Sequence, residues 1–352
     1  MKTRGTAVAI TLFLLLSLTW SLGFGPSLHA QAPFYHGKTI RIVAGHPAGD
    51  GYDTWVRLIA RNMGKHIPGS PDIIVQNMPG AGSMVAANYV YRVAKPDGLT
   101  LGAVAPGTYF DQLVGRKEVQ FDWAKFVWIG TPERTDYLLF IRADSPYQTI
   151  DDVRKAIEPP KCGATGTASA LYHIPKLLEE TVGAKFNVVT GYQGGTEVDL
   201  ALERGEVQCR VITISAFFGR EPFESWRKKR FVRVLLQTGK KQDTSLLDVP
   251  TIYELMDQHK TPDGGRRLAT VFLAPVVFGR PMMAPPGLPA EQVKILRGAW
   301  NKAVKEPALL EEAKKRGWVV EPVSGEELDS LAKEVMAQPP EIVERMRKLL
   351  GK

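Results

Sequence analysis

The sequence predicts an α/β protein of two lobes, each a mostly parallel, doubly wound sheet, and three observations carry the prediction. Short apolar runs alternate with helical periodicity along most of the chain, which is the signature of βαβ units. Several joints from strand to helix are rich in glycine and small polar residues, as suits turns at the carboxyl edge of a parallel sheet. The roughly 320 residues left after an N-terminal leader exceed what one hydrophobic core usually organises.

The leader comprises residues 1–30. Lys2 and Arg4 make a basic start, Ala7 to Leu18 is apolar or small apart from Thr11 and Ser17, and Leu28-His29-Ala30 suits cleavage near Ala30, so the segment reads as a secretory signal peptide. Its apolar run falls short of the ~20 residues of a membrane span, and no cysteine near residue 30 offers a lipid anchor. Setting the leader aside leaves 43 Lys and Arg against 37 Asp and Glu, a mild positive field that suits anionic ligands without naming one. The densest basic run, Arg227-Lys228-Lys229-Arg230, reads as a solvated helix end and not as a nucleic-acid surface.

Ile40 to Ala44 is predicted as the first strand. Tyr52, Trp55, Val56, Ile59, Ala60, Met63 and Ile67 then recur on one helix face until Pro68-Gly69. Ile73 to Val75 is a second strand, Met84 to Ala94 a second helix, and Leu99 to Val104 a third strand. Leu138 to Ile141 crosses to a second lobe, whose βα series opens at Cys162. The helical face of Leu171, Ile174, Leu178 and Val182 contains Pro175, so that helix is expected to start late or to kink. Asn187 to Thr190, Val207 to Ile214 and Phe231 to Leu236 are further strands, with a short helix ending at Gly205 between the first two. Phe272 to Phe278 returns to the first lobe, and Pro289 to Lys352 is helical, broken at Pro307, Pro322 and Pro339-Pro340. The expected division is 1–30 leader, 31–137 first lobe, 138–272 second lobe and 273–352 first lobe again.

Three segments in order, Ala48-Gly49-Asp50-Gly51-Tyr52-Asp53, Gln76-Asn77-Met78-Pro79-Gly80-Ala81-Gly82 and Lys95-Pro96-Asp97-Gly98-Leu99-Thr100-Leu101, resemble the N-terminal signatures of the tripartite tricarboxylate transporter receptors, the Bug or TctC-type solute-binding proteins. Thr190-Gly191-Tyr192-Gln193-Gly194-Gly195, Leu247-Asp248-Val249-Pro250-Thr251 and Met283-Ala284-Pro285-Pro286-Gly287-Leu288-Pro289 extend the likeness over the mature chain. The resemblance implies a type II periplasmic binding protein fold with a ligand cleft between the lobes, a periplasmic location, a small carboxylate ligand and membrane transporter components as partners. It implies no cofactor, metal or nucleic acid, and a monomer. It also makes the strands of Cys162 and Cys209 neighbours, so that the two thiols form a disulfide in an oxidising compartment or stay buried and reduced.

By the same resemblance the first turn, His46, Pro47, Ala48, Gly49, Asp50, Gly51 and Tyr52, contacts ligand mainly through its backbone, where a side chain would block close approach. Asp50 stands where the family usually has glycine. It reads as a helix N-cap, with Asp53 closing a capping box, or as a ligand contact. Thr165, Gly166, Thr167, Ala168 and Ser169 offer hydroxyls and N–H groups at a helix start, a setting suited to a carboxylate. Tyr192, Gln193, Ser215 and Thr108 complete the candidate set. Asn77 and Pro79 to Gly82 read as a structural turn.

Enzyme signatures are weak. Gly37-Lys38-Thr39 precedes its strand and has Ala32 where a phosphate loop needs glycine. No Gly-x-Ser-x-Gly elbow, zinc-type histidine spacing or Cys-x-x-Cys occurs. His46 near Asp50 and Asp53 reads as a ring lining a binding loop rather than a catalytic pair. The reading is therefore an exported solute receptor for a tripartite tricarboxylate transporter, and not an enzyme. The alternatives are a sensor of the same fold that serves a signalling kinase, and an exported hydrolase.

Overall fold

The structure, a computed structural model, describes residues 33–49, 51–164, 169–192, 195–219 and 221–350. The leader, Asp50, the turn residues Thr165, Gly166, Thr167 and Ala168, and Gln193 lie outside the described residues. In chain order the strands are β1 (Thr39–Ala44), β2 (Asp72–Asn77), β3 (Thr100–Ala103), β4 (Val127–Thr131), β5 (Tyr137–Arg142), β6 (Lys161–Gly163), β7 (Asn187–Val189), β8 (Cys209–Thr213), β9 (Val232–Gln237), β10 (Met282–Ala284) and β11 (Val323–Ser324). The helices are α1 (Gly51–Met63), α2 (Met84–Arg92), α3 (Tyr109–Leu113), α4 (Ile150–Lys155), α5 (Ala170–Val182), α6 (Gly195–Glu203), α7 (Ile214–Gly219), α8 (Phe223–Lys228), α9 (Ile252–Gln258), α10 (Asp263–Phe278), α11 (Ala290–Ala303), α12 (Pro307–Lys315), α13 (Gly325–Met336) and α14 (Pro340–Leu349).

Two mixed sheets result. The first runs β11-β4-β10-β3-β1-β2 and the second β7-β6-β8-β5-β9. β1 pairs parallel with β2 and β3, while β10 runs antiparallel between β3 and β4. In the second sheet β6 is parallel to β7 and β8, and β5 is antiparallel to β8 and β9. The carboxyl ends of β1, β2 and β3 therefore share one edge, as do those of β6, β7 and β8. These are the edges at which open α/β sheets bind ligands.

The first lobe closes around α1, whose Trp55, Leu58, Ile59 and Met63 are buried against Ile40, Ile42 and Trp300. Each such side chain contributes roughly 1.5–3 kcal/mol through removal from water. α9 starts on a capping box between Thr251 and Glu254, which gives the Leu247 to Thr251 motif a local structural reason. The basic run at 227–230 ends α8 as expected, with Lys228 reaching Glu224.

Two expectations change. α5 does not start late: it runs from Ala170 through Pro175 to Val182, and Gly183, at a φ of +74°, caps it. Phe272 to Phe278 is the end of a long helix, α10, and the chain rejoins the first sheet only at Met282. α10 packs on α5 on one side and on α13 and α14 on another. Its last residue, Phe278, enters an aromatic cluster with Trp123 at 5.3 Å and Trp128 at 5.0 Å between ring centres. Pro275 has no N–H to give to the Val271 carbonyl, and the Tyr109 hydroxyl donates to that carbonyl instead.

Cys162 and Cys209 are register partners on β6 and β8. Neighbouring strands lie ~4.8 Å apart, inside the ~4.4–6.8 Å between Cα atoms that a disulfide spans. Both are free, fully buried thiols in the structure, so the expected neighbourhood is present and the bond is not.

Candidate functional site

Three turns meet at the carboxyl edge of the first sheet. The turn after β1 holds Gly45 to Gly49, that after β2 holds Met78 to Ser83, and that after β3 holds Val104 to Thr108. Ser83 joins them: its Oγ donates to Gly45 O at 2.9 Å, accepts from Ala105 N–H at 3.1 Å, and lies 3.4 Å from His46 Nε2. A Cβ on Gly45 would fall 2.6 Å from Ser83 Cβ, so this approach admits only glycine. Thr108 is buried, and its hydroxyl faces Ala105 O at 2.7 Å and Gly82 O at 3.2 Å.

Asp53 is 1% exposed. Its Oδ2 accepts from Gly49 N–H at 2.7 Å and from Arg57 Nε at 2.8 Å, and its Oδ1 accepts from Asn77 Nδ2 at 2.7 Å. Burial pushes this carboxyl up, but Arg57, Gly49 and Asn77 together outweigh it and hold Asp53 below the usual aspartate range. Gly49 reaches this position at a φ of +83°, where a residue with a side chain would be strained.

Asp53, buried and with protein donors on both its oxygens, holds the first turn. Asp50, which would lead the expected capping box, lies outside the described residues. Asn77 is structural as expected, yet it is more than a surface turn, since its Nδ2 also donates to His46 O at 2.9 Å.

The side chains that remain near the turn form a stack. The His46 and Tyr52 rings lie parallel, 4.0 Å apart at 5°, and the Arg280 guanidinium sits 4.6 Å from the centre of the Tyr52 ring. Pro47, Ala48, Gly49 and Gly51 are exposed, and His46 and Tyr52 half-buried. Arg280 precedes β10, whose Met282 pairs with Ala103 at the end of β3, so it stands at the same sheet edge as the turn. Its backbone N–H donates to Thr131 Oγ1 at 2.9 Å and its Nε to Glu133 Oε1 at 2.7 Å. Burial raises the Glu133 carboxyl and Arg280 only partly offsets this. Among the described residues neither terminal nitrogen of Arg280 has a hydrogen-bond partner. Sequence reasoning missed Arg280 and Ser83.

Gly279 makes the Arg280 position possible. A Cβ there would lie 2.0 Å from Glu133 O, so the chain between α10 and β10 can pass the segment after β4 only as glycine. Thr135 N–H donates to Val276 O at 3.0 Å, which ties the two interlobe segments together.

On the second lobe, Ser169 holds the N-cap position of α5 without a side-chain cap. Tyr192 is half-buried after β7, and burial with the Glu206 charge behind it raises its phenol. Ser215 does not end a strand; it is exposed in the first turn of α7, 3.4 Å from Thr213 Oγ1. A buried ion pair, Arg210 with Asp199, braces the β7 to α6 turn, with Arg210 Nη1 also donating to Gly195 O at 2.8 Å. Elements of both lobes line one cavity, Gly82 and Thr108 from the first and Ala170 and His173 from the second. Among the described residues no three His, Cys, Asp or Glu side chains are grouped to hold a metal.

The sequence model of the family described as "Tripartite tricarboxylate transporter family receptor" matches residues 55–347. A relative from Cupriavidus necator, a "UPF0065 protein in gbd 5'region", is 28% identical over 322 residues, covering 90% of each chain. The crystal structure of a TctC solute binding protein from Polaromonas, with no ligand, superposes with a TM-score of 0.69 at 20% identity, over 90% of this chain and 99% of that one. MatC from Rhodopseudomonas palustris, solved with bound malate, superposes with a TM-score of 0.55 at 20% identity, over 89% and 99%.

Proposed function

The chain belongs to the tripartite tricarboxylate transporter receptor family, and from that premise we propose that it is a periplasmic receptor that captures a small carboxylate between its lobes and delivers it to the membrane components of such a transporter. The single observation that carries the ligand class is Arg280, a cation held at the carboxyl edge of the first sheet over the Tyr52 ring, with its terminal nitrogens unpartnered among the described residues. A guanidinium presents parallel N–H donors that match a carboxylate. The exposed turn before α1 adds backbone donors and the positive end of a helix of thirteen residues. The malate bound by the Rhodopseudomonas neighbour agrees with an organic acid as ligand.

Capture of one ligand without turnover fits a site whose titratable groups are engaged in holding loops. Asp53 and Glu133 are committed to Arg57, Asn77 and Arg280, so neither is placed as a general base. Closure of the lobes would remove water from the carboxylate and strengthen its hydrogen bonds.

A thermal-shift panel of mono-, di- and tricarboxylates beside their methyl esters tests this. At least one acid is expected to raise Tm while its ester does not. Equal shifts from acid and ester would remove the carboxylate from the reading.

A further inference from the structure

The cavity between the lobes measures about 360 Å³, within the ~300–1,000 Å³ of small-molecule sites. One wall is aromatic: Phe110, His173 and Phe272 pack with ring centres 5.3–5.8 Å apart. Ile174, Leu273 and Pro275 extend it, and among the described residues no lysine or arginine lines the cavity. Its polar side chains are few: the Tyr137 phenol and the His173 ring line it, and two others are engaged elsewhere. Thr108 is directed at Ala105 O and Gly82 O, and Asp111 pairs with Arg116. The wall is also firm, because Tyr109, next to Phe110, is hydrogen-bonded to the α10 carbonyl that Pro275 leaves open.

The cavity borders the turns that Ser83 joins to the first turn. Gly82 and Ala105 line it, while Ser83 bonds both Ala105 N–H and Gly45 O. A ligand whose carboxylate lies at that turn would direct the rest of its body toward a space whose described lining is largely apolar and holds no lysine or arginine. A second carboxylate placed there would be desolvated beside Asp111 and away from any described lysine or arginine of the lining, an arrangement that costs several-fold to many-fold in affinity. A ring or short hydrocarbon chain would instead lose water-exposed surface, and a cavity of ~150 Å³ already suffices for benzene.

We propose that this receptor takes a monocarboxylate with an apolar body, an aryl or short alkyl acid, whose hydrocarbon part fills the cavity walled by Phe110, His173 and Phe272. The inference rests on the receptor reading above and names the ligand's other end.

Isothermal titration of the mature chain with 3-phenylpropionate and hexanoate, beside succinate and citrate, tests it. The apolar acids are expected to bind at least tenfold more tightly than the two polar ones. Succinate or citrate binding as tightly as the apolar acids overturns the inference while leaving the receptor reading intact; failure of both apolar acids to bind also overturns the inference, and the carboxylate panel then decides the receptor reading. In A170F, which narrows the cavity from the start of α5, 3-phenylpropionate is expected to weaken at least tenfold, and unchanged affinity in a folded A170F would place the ligand body elsewhere. If A170F does not fold, the comparison among the four acids decides alone.

Discussion

Asn77 and Asp53, at the end of one strand and the start of the helix after another, meet at 2.7 Å and together hold the turn between β1 and α1. Asn77 also fixes His46 O, and Asp53 fixes Gly49 N–H. The turn that is read as the ligand's backbone cradle is therefore held by these two side chains.

Asn77→Ala would leave a buried carboxylate oxygen and the His46 carbonyl without this donor, a loss of roughly 1–3 kcal/mol. The urea midpoint is expected to fall accordingly, and ligand affinity with it. Because Asp53 is held below its ordinary range, its contribution is present above the unfolded carboxylate value and is lost as pH falls through the folded one. Acid destabilisation should be weaker in Asp53→Asn than in the parent chain. Equal acid profiles would show that Asp53 does not carry this linkage.

Arg280 has two separable duties, toward Glu133 and toward the ligand. Arg280→Gln should weaken carboxylate binding at least tenfold, about 1.4 kcal/mol, and also strand a carboxyl that burial already raises. The double variant Glu133→Gln with Arg280→Gln should recover stability without recovering affinity. Recovery of both, read by denaturation and titration, would make Arg280 structural alone.

Asp136 lies in the segment between the lobes, and burial pushes its carboxyl from 3.8 to about 6, with Glu321 and Asp243 adding to the rise and Arg134 and Thr238 opposing it. The folded state thus keeps a proton that the unfolded state has lost, so stability should decline as pH rises from about 4 to about 6. Asp136→Asn should remove the decline and gain up to roughly 3 kcal/mol at pH 7. Tm measured across that range checks it, and a parallel decline in the variant would assign the effect to other groups.

Cys162 and Cys209 stand in register as free thiols. Material refolded under oxidising conditions is expected to close the pair and gain roughly 4 kcal/mol in the chain-entropy model. Thiol titration of the unfolded, unreduced chain reads the result directly: two free thiols after oxidation would rule the bridge out.

Much of this architecture was legible because it repeats locally. The periodicity of Trp55, Val56, Ile59 and Met63 gave α1, and Leu138 to Ile141 gave β5, since burial on one face or on both leaves a pattern in the residues themselves. α10 was less legible. Its apolar end around Pro275 lacks the polar face that marks a surface helix, because α5, α13 and α14 cover it. Arg280 carries no local sign at all, being one cation far along the chain from the turn it serves, brought there only by the antiparallel return of β10. Ser83 was hidden inside a glycine-rich turn that suggested surface geometry, whereas it is buried and joins three turns. Asp53 was visible at a helix start, but spacing does not show that its carboxylate would bind Arg57 and Asn77.

The central claim is reversible capture of an organic acid at one interlobe site. Isothermal titration of the mature chain with the acid selected by thermal shift, followed by recovery and mass analysis of the ligand after long incubation, tests it most directly. The expected result is one site per chain and a ligand returned unchanged. A ligand returned chemically altered, or no organic acid bound at all, would contradict it.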